Sequence, residues 1–367
     1  MRSYLLVLVV AAGVTYLLTP AVRRLAERLG AMTPVRDRDV HSVPTPRLGG
    51  LAMLAGLAAS FVVATQVPFL STIFSASRGA WAILGAGALV CLIGAADDVW
   101  GLDPLTRLAG QVLAGGLIAW QGVQLVTLPV LGVTVGSGGM FLALTVVAVV
   151  VTINAVNFID GLDGLAAGVM AIAGGAFFVY AYTLTRDASP SDYTSLASIV
   201  AAGLVGCCLG FLPHNSNPAR IFMGDSGAYL IGLLLAASAI AVTGQVDPAV
   251  VSDARLVPAF VPLLLPVAVL VVPLADLVLA VVRRLGAGRS PFTADRGHLH
   301  HRLLDLGHTQ VHAVLVLYLW TAVIAFGSIA LAFVPLRIAL PVGVGVVVVS
   351  LALTVGPLRD RRPRERL

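Results

Sequence analysis

The chain has 367 residues, of which 58% are hydrophobic and 11% charged, with a mean hydropathy of +0.97 and a net charge of +5. Soluble domains carry about 25% charged residues, so a soluble fold is excluded and the chain reads as an all-α integral membrane protein. Its positive charge is all arginine, since there is no lysine, and that arginine lies mostly in loops. Such a distribution reports membrane orientation and excludes a nucleic-acid partner.

A span needs about 20 apolar residues. Eleven candidates follow in order: 3–20, 49–66, 79–96, 107–121, 138–156, 165–184, 194–212, 227–244, 257–282, 311–334 and 338–357. The first has one preceding arginine and no small-residue cleavage site, so it is expected to stay as a span rather than leave as a signal peptide. Gln124–Gly136 is rich in Val and Thr and predicts a short hairpin on the outer side. Threading the spans alternately puts 18 of the 23 arginines in one set of loops, leaving Arg2, Arg78, Arg186, Arg255 and Arg337 in the other. The richer set is assigned to the cytoplasm, with the N-terminus outside and the C-terminus inside. The expected organisation is one polytopic catalytic unit over 1–358 and a basic cytoplasmic tail over 359–367. Cys91, Cys207 and Cys208 lie in apolar runs and read as small packing residues.

Every dense polar motif falls in the loops assigned to the cytoplasm. In HSVPTPRLGG (41–50), His41 and Arg47 sit on an extended Pro-containing segment; a substrate contact and a plain basic loop both fit. Asp97 and Asp98 close the span before DDVWGLDP, where a carboxylate opposes the helix dipole and needs a cation or arginine nearby. The central stretch NAVNFIDGLDGLAAG sets Asn154, Asn157, Asp160 and Asp163 at three-residue steps on one helical face or turn. Its carboxylates need partners or a cation at a membrane rim. In NPARIFMGDSG, Asp225 sits on a glycine turn five residues after Arg220, which suits a cation and an anion together or ordinary capping of the next span. DRGHLHHR (295–302) carries Arg296, His298, His300, His301 and Arg302. Zinc, phosphate or a solvated basic loop are its three readings, and the arginines favour phosphate. Asp276, inside the ninth candidate span, is either functional or paired with Arg283 or Arg284.

Acidic groups, a metal-compatible turn and an Arg/His segment on one face together suit chemistry on a phosphorylated substrate with magnesium. The motifs DDVWGLDP, NAVNFIDGLDGLAAG, PARIFMGDSG and DRGHLHHRL, in that order, resemble the polyprenyl-phosphate N-acetylhexosamine-1-phosphate transferase family. The resemblance runs from about Thr19 to Leu306. The H-x-H-H pattern at 298–301 is similar to the branch that transfers GlcNAc-1-phosphate, and DVHSVPTPRLGG to actinobacterial members. Where many relatives carry lysine before the histidine of this loop, this chain has Asp39 between Arg38 and Val40.

The resemblance implies that a polyprenyl phosphate, decaprenyl or undecaprenyl, attacks the β-phosphorus of UDP-GlcNAc and releases UMP, at the cytoplasmic face of a bacterial plasma membrane. It implies magnesium, with manganese as a substitute, held by Asp225 and Asn157. Asp97 and Asp98 would activate or orient the lipid phosphate, and Asp160, Gly161, Leu162 and Asp163 would form the nucleotide pocket. His298, His300, His301 and the nearby arginines would bind diphosphate and sugar. The lipid is expected to enter along a groove near the ninth span, and a homodimer is a further expectation. The rivals are phospho-MurNAc-pentapeptide transfer and, from another class, transport of an anionic solute. Transport calls for polar groups near the bilayer midplane.

Overall fold

A computed structural model describes residues 1–33, 44–125, 129–130, 133–134, 137–188, 194–243 and 309–355, together with positions 282, 286 and 288. Ten of the eleven candidate spans fall on these residues, and a helix occupies each. In order these are α1 (Arg2–Leu29), α2 (Gly49–Thr65), α4 (Gly79–Trp100), α5 (Pro104–Trp120), α6 (Gly138–Ile159), α7 (Leu165–Ala188), α8 (Leu196–Asn215), α9 (Gly224–Thr243), α10 (Gln310–Phe333) and α11 (Leu336–Val355). Short α3 (Pro68–Ala76) follows α2 after a 104° bend. Eight of these helices are long and apolar enough to cross a membrane, or nine spans if α2 and α3 count as one. The protein is therefore a multi-pass membrane protein, although the described residues do not account for eleven crossings. Helices α2 and α5, at 17 residues each, are shorter than those eight, and the candidate span 257–282, with Asp276, lies outside the described residues. The expected hairpin is present as β1 (Pro129–Val130) and β2 (Val133–Thr134), antiparallel with Pro129 opposite Thr134.

Local chemistry sets the boundaries. Helix α1 stops at Gly30, whose φ of 71° few side chains tolerate. Pro68 starts α3 at its first position, which forces the break after α2. Asp103 caps α5, its Oδ1 accepting from the backbone N–H of Leu105 at 2.9 Å and of Thr106 at 3.0 Å, with Pro104 next in line. At the opposite end of the bundle Tyr4 of α1 is fully buried among Phe69, Phe178 and Tyr182, and its hydroxyl accepts from Ser195 N–H at 2.8 Å.

Helix α9 is the axis of the fold. Of its apolar window 94% is buried, against 22% for α1 and 11% for α11, so the last two face lipid while α9 is wrapped by protein. It packs on α2, α4, α6, α7 and α8. Small residues allow that approach, as membrane packing requires where no hydrophobic drive separates helix from lipid. A Cβ on Gly94 of α4 would lie 2.5 Å from the Asp225 carbonyl carbon, and one on Gly50 of α2 only 2.2 Å from Gly227 N. A further tie binds the 46–50 segment to the turn before α9: Gly49 and Gly50 N–H donate to Phe222 and Met223 carbonyls at 3.1 Å each, and Phe222 N–H to Pro46 at 2.8 Å. The three cysteines are buried, as their apolar setting predicts.

Gly94→Ala is expected to lower stability by about 1–3 kcal/mol, the usual cost of overpacking. Thermal unfolding in detergent checks it: an unchanged midpoint would show that α4 and α9 do not meet this closely.

Candidate active site

The C-terminal ends of α4, α6 and α8 meet the N-terminal ends of α2, α5, α7 and α9 at one end of the bundle, and the polar motifs of the described residues meet there with them. Asp97 and Asp98 are sequence neighbours in the last turn of α4, so their side chains leave the helix about 100° apart. Asp97 turns to α5. Its Oδ1 accepts from Leu102 N–H at 2.6 Å and its Oδ2 from Arg107 Nη1 at 3.2 Å. Asp98 turns to α9. Its Oδ1 accepts from Asp225 N–H at 3.1 Å and its Oδ2 from Ser226 N–H at 3.2 Å, with Arg47 Nη1 3.9 Å away. The Asp98 side chain is 1% exposed, while that of Asp225 remains 23% exposed.

Asp225 occupies the first turn of α9, held from three sides. Asn157 Nδ2 donates to its Oδ1 at 2.8 Å, Tyr229 OH to its Oδ2 at 3.1 Å, and Arg107 Nη1 lies 3.8 Å from that same Oδ2. One guanidinium therefore serves two carboxylates from different helices. Gln111, a turn further along α5 and 2% exposed, accepts from Asn154 Nδ2 at 2.6 Å, fixing α5 against α6. Arg47 is steadied in turn by its Nε donating to Thr33 Oγ1 at 2.7 Å.

The second half of the central stretch is built differently. Leu162 and Asp163 are buried, and Gly161 is exposed. Asp163 Oδ2 accepts from Asn217 Nδ2 and Ala219 N–H, both at 3.0 Å, so this carboxylate anchors the turn after α8. Asn215 completes the anchor: it accepts from Gly164 N–H at 3.1 Å and donates to the Ile221 carbonyl at 3.0 Å. From α10, Tyr318 donates to the Gly164 carbonyl, and Gln310 accepts from Asn217 at 2.9 Å. Arg220 is exposed, its backbone N–H donating to the His214 carbonyl.

The chain is 43% identical over 365 residues to a Mycobacterium tuberculosis protein named decaprenyl-phosphate N-acetylglucosaminephosphotransferase, covering 98% of this chain and 90% of that one. Residues 80–243, which hold α4 through α9, match the profile of Glycosyl transferase family 4. The chain belongs to glycosyl transferase family 4. A Mycolicibacterium smegmatis family member of the same printed name is 44% identical over 372 residues, covering 99% of this chain and 90% of its own. A phospho-N-acetylmuramoyl-pentapeptide-transferase from Desulforudis audaxviator is 30% identical over 356 residues, covering 88% and 97%.

In this family member the structure brings Asp97, Asp98, Asn157, Asp225 and Arg47 together and places Asp160 beside them. His41, Arg296, His298, His300, His301, Arg302 and the tail over 359–367 lie outside the described residues. Arg107 and Tyr229 are site residues that sequence reasoning passed over. Tyr229 had a usable signal, being four residues from Asp225 on one helical face. Arg107 had none beyond its charge, because only tertiary packing brings it to Asp225. Among the described residues no three His, Cys, Asp or Glu side chains form a ligand cage. The partly exposed carboxylate of Asp225, with Asp97 on the same Arg107, suits a hard cation that takes one or two carboxylates and completes its shell with water or phosphate.

Asp160 follows the last turn of α6 and is only partly exposed. Burial first, then the charges of Asp225 and Asp98, pushes its carboxyl up to about 7. A raised acid favours the folded state at low pH, fully below its ordinary 3.8, and that contribution is lost as pH rises towards about 7. Without added cation, Asp160→Asn should flatten the fall in thermal midpoint across this window. A variant whose midpoint tracks wild type at every pH would remove Asp160 from the acidic cluster. Tyr229→Phe should keep the fold and lower turnover roughly tenfold, the loss of one hydrogen bond to a charged group; unaltered turnover in an activity assay would show that Asp225 does not need it.

Proposed function

We propose that this protein transfers GlcNAc-1-phosphate from UDP-GlcNAc to a polyprenyl phosphate, releasing UMP at the cytoplasmic face, as an early membrane step of cell-envelope glycan synthesis. One observation carries the reading: Asp97 and Asp225, from two helices, share Arg107 at the end of the bundle where the polar motifs of the described residues gather. The names of the mycobacterial relatives supply the substrate classes. Identity of 43% and 44% to proteins so named, against 30% to the pentapeptide-transferase, favours GlcNAc over phospho-MurNAc-pentapeptide. Transport gains no support, since Asp97, Asp98, Asp160 and Asp225 gather at one end of the bundle and not at its middle. The proposed eleven crossings rest on the apolar runs, and the orientation, with the N-terminus outside, on the arginine bias between loops.

The chemistry asked of the protein is positioning and neutralisation. An oxygen of the lipid phosphate attacks the β-phosphorus, the bond from that phosphorus to the bridging oxygen breaks, and UMP leaves with the bond electrons. A phosphate monoester is already largely ionised near neutral pH, so no strong base is required. Asp225, with Asn157 beside it, would hold magnesium, which when bound supplies positive charge to the diphosphate oxygens. Manganese, of similar oxygen preference, is proposed as a substitute. Asp97 orients Arg107, whose five donors exceed what two carboxylate contacts use, leaving capacity for phosphate oxygens. Asp160 and Gly161, at the surface of the turn after α6, are the part of that turn open to the nucleotide, whereas Leu162 and Asp163 support it from within. Arg47 and the segments around His41 and 296–302 are proposed to complete the anion site, and Arg220 to lie at its rim.

The test is UMP release by purified protein with undecaprenyl phosphate, UDP-GlcNAc and magnesium, run beside UDP-MurNAc-pentapeptide and with EDTA. Release from UDP-GlcNAc alone, abolished by EDTA, is expected; release only from the pentapeptide donor would move the protein to the other branch. Asp225→Asn should lose nearly all turnover while folding normally, because a charge is removed without a change of shape. Near-wild-type activity at limiting magnesium would rule out Asp225 as the metal ligand.

A further inference from the structure

We infer that Asp98 is a positioning residue that caps α9 from outside, setting Asp225, and does not contact the lipid phosphate. The inference rests on the proposed function above and separates two neighbouring aspartates that sequence treats as a pair.

The first backbone N–H groups of a helix have no partner within it, and a buried helix start without acceptors is costly. Helix α9 begins on Gly224 at φ 69°, and the residue before it, Met223, has no side chain able to cap. Asp98 supplies the missing acceptor from another helix, one oxygen to Asp225 N–H and the other to Ser226 N–H. Both oxygens are thereby engaged, and at 1% exposure the side chain has no face left for substrate. Among the described residues Arg47, at 3.9 Å, is the one side chain that adds charge balance, and the positive end of α9 contributes too. Asp97 contrasts with it: beside Leu102 N–H its partner is the Arg107 guanidinium, which is one-third exposed and which Asp225 also uses, and its own side chain is 11% exposed.

Space around the cap is tight, which makes the inference sharp. A Cβ on Gly224 would lie 2.3 Å from Asp98 Oδ2, and a Cβ on Gly94, one turn earlier in α4, would strike the Asp225 backbone. Moving the Asp98 carboxylate therefore moves the backbone that carries Asp225. Asparagine fits the same volume and keeps one of the two caps, its carbonyl oxygen accepting from one N–H while its NH2 group leaves the other unmet. Glutamate keeps the charge and any basicity but adds a methylene where none fits. A group acting on the lipid phosphate would show the reverse order, with Glu the better replacement and Asn inert.

The experiment compares Asp98→Asn, Asp98→Glu and Asp98→Ala with wild type for turnover, lipid-phosphate KM and magnesium-induced thermal shift. Asp98→Asn is expected to keep turnover within about tenfold of wild type, with a lipid KM within about threefold; Asp98→Glu and Asp98→Ala should lose roughly a hundredfold or more, as loss of both charged-group hydrogen bonds implies. The magnesium concentration that half-saturates the thermal shift should stay near wild type in Asn and rise about tenfold in Ala, because Asp225 is displaced. Glu more active than Asn, Asn as inactive as Ala, or an Asn variant that does not fold would each overturn the inference. Should wild type release no UMP, the proposed function fails separately, and the order of the magnesium thermal shifts still decides the role of Asp98.

Discussion

A buried helix must find acceptors for its first N–H groups, and in this protein the solution organises the active end of the molecule. Helix α9 runs through the protein interior, where water cannot serve its start. The Asp98 carboxylate comes from α4, glycines at 50 and 94 let α2 and α4 close around that start, and backbone bonds tie the segment before α2 to the turn before α9. The result is a first turn fixed by three other elements, and Asp225 is the side chain that turn presents.

Around that point the charges are arranged to remain partly unsettled. Arg107 lies between Asp97 and Asp225, and Arg47 beside Asp98, while Asp160 adds a fourth carboxyl close by. Carboxylates thus outnumber arginines among these described residues, an imbalance that favours a cation and with it the phosphates it would accompany. Away from this centre polar side chains do a different task. Asp163, Asn215, Asn217 and Tyr318 bind the turn after α6 to the turn after α8 and to α10, so the rim of the site is a framework of hydrogen bonds.

Much of this was legible from residues alone. Long apolar runs located the helices because a bilayer admits little else, and the motif-bearing loops sorted to one side by simple alternation. The Asp–Asp pair, the central stretch and the Gly-Asp-Ser-Gly turn do converge. What stayed hidden were relations between helices. Nothing in the spacing of Asp97 and Asp98 shows that one faces α5 and the other the start of α9, since that depends on how α4 is rotated. Equal three-residue steps at Asn157, Asp160 and Asp163 suggest one shared face, yet the helix ends at Ile159 and Asp163 turns inward to hold Ala219. Arg107 looked like one more orienting charge until α5 was packed against α4 and α6.

The central claim is that phosphoryl transfer, not transfer of the sugar alone, takes place at Asp225 and Arg107. The most direct measurement follows the fate of label in UDP-GlcNAc carrying phosphorus-32 at the β position, incubated with purified protein and polyprenyl phosphate. The account predicts that the label moves entirely into the lipid product while unlabelled UMP is released. Label retained in released UDP, with an unlabelled glycolipid, would contradict it by showing that the bond broken lies at the sugar carbon and not at phosphorus.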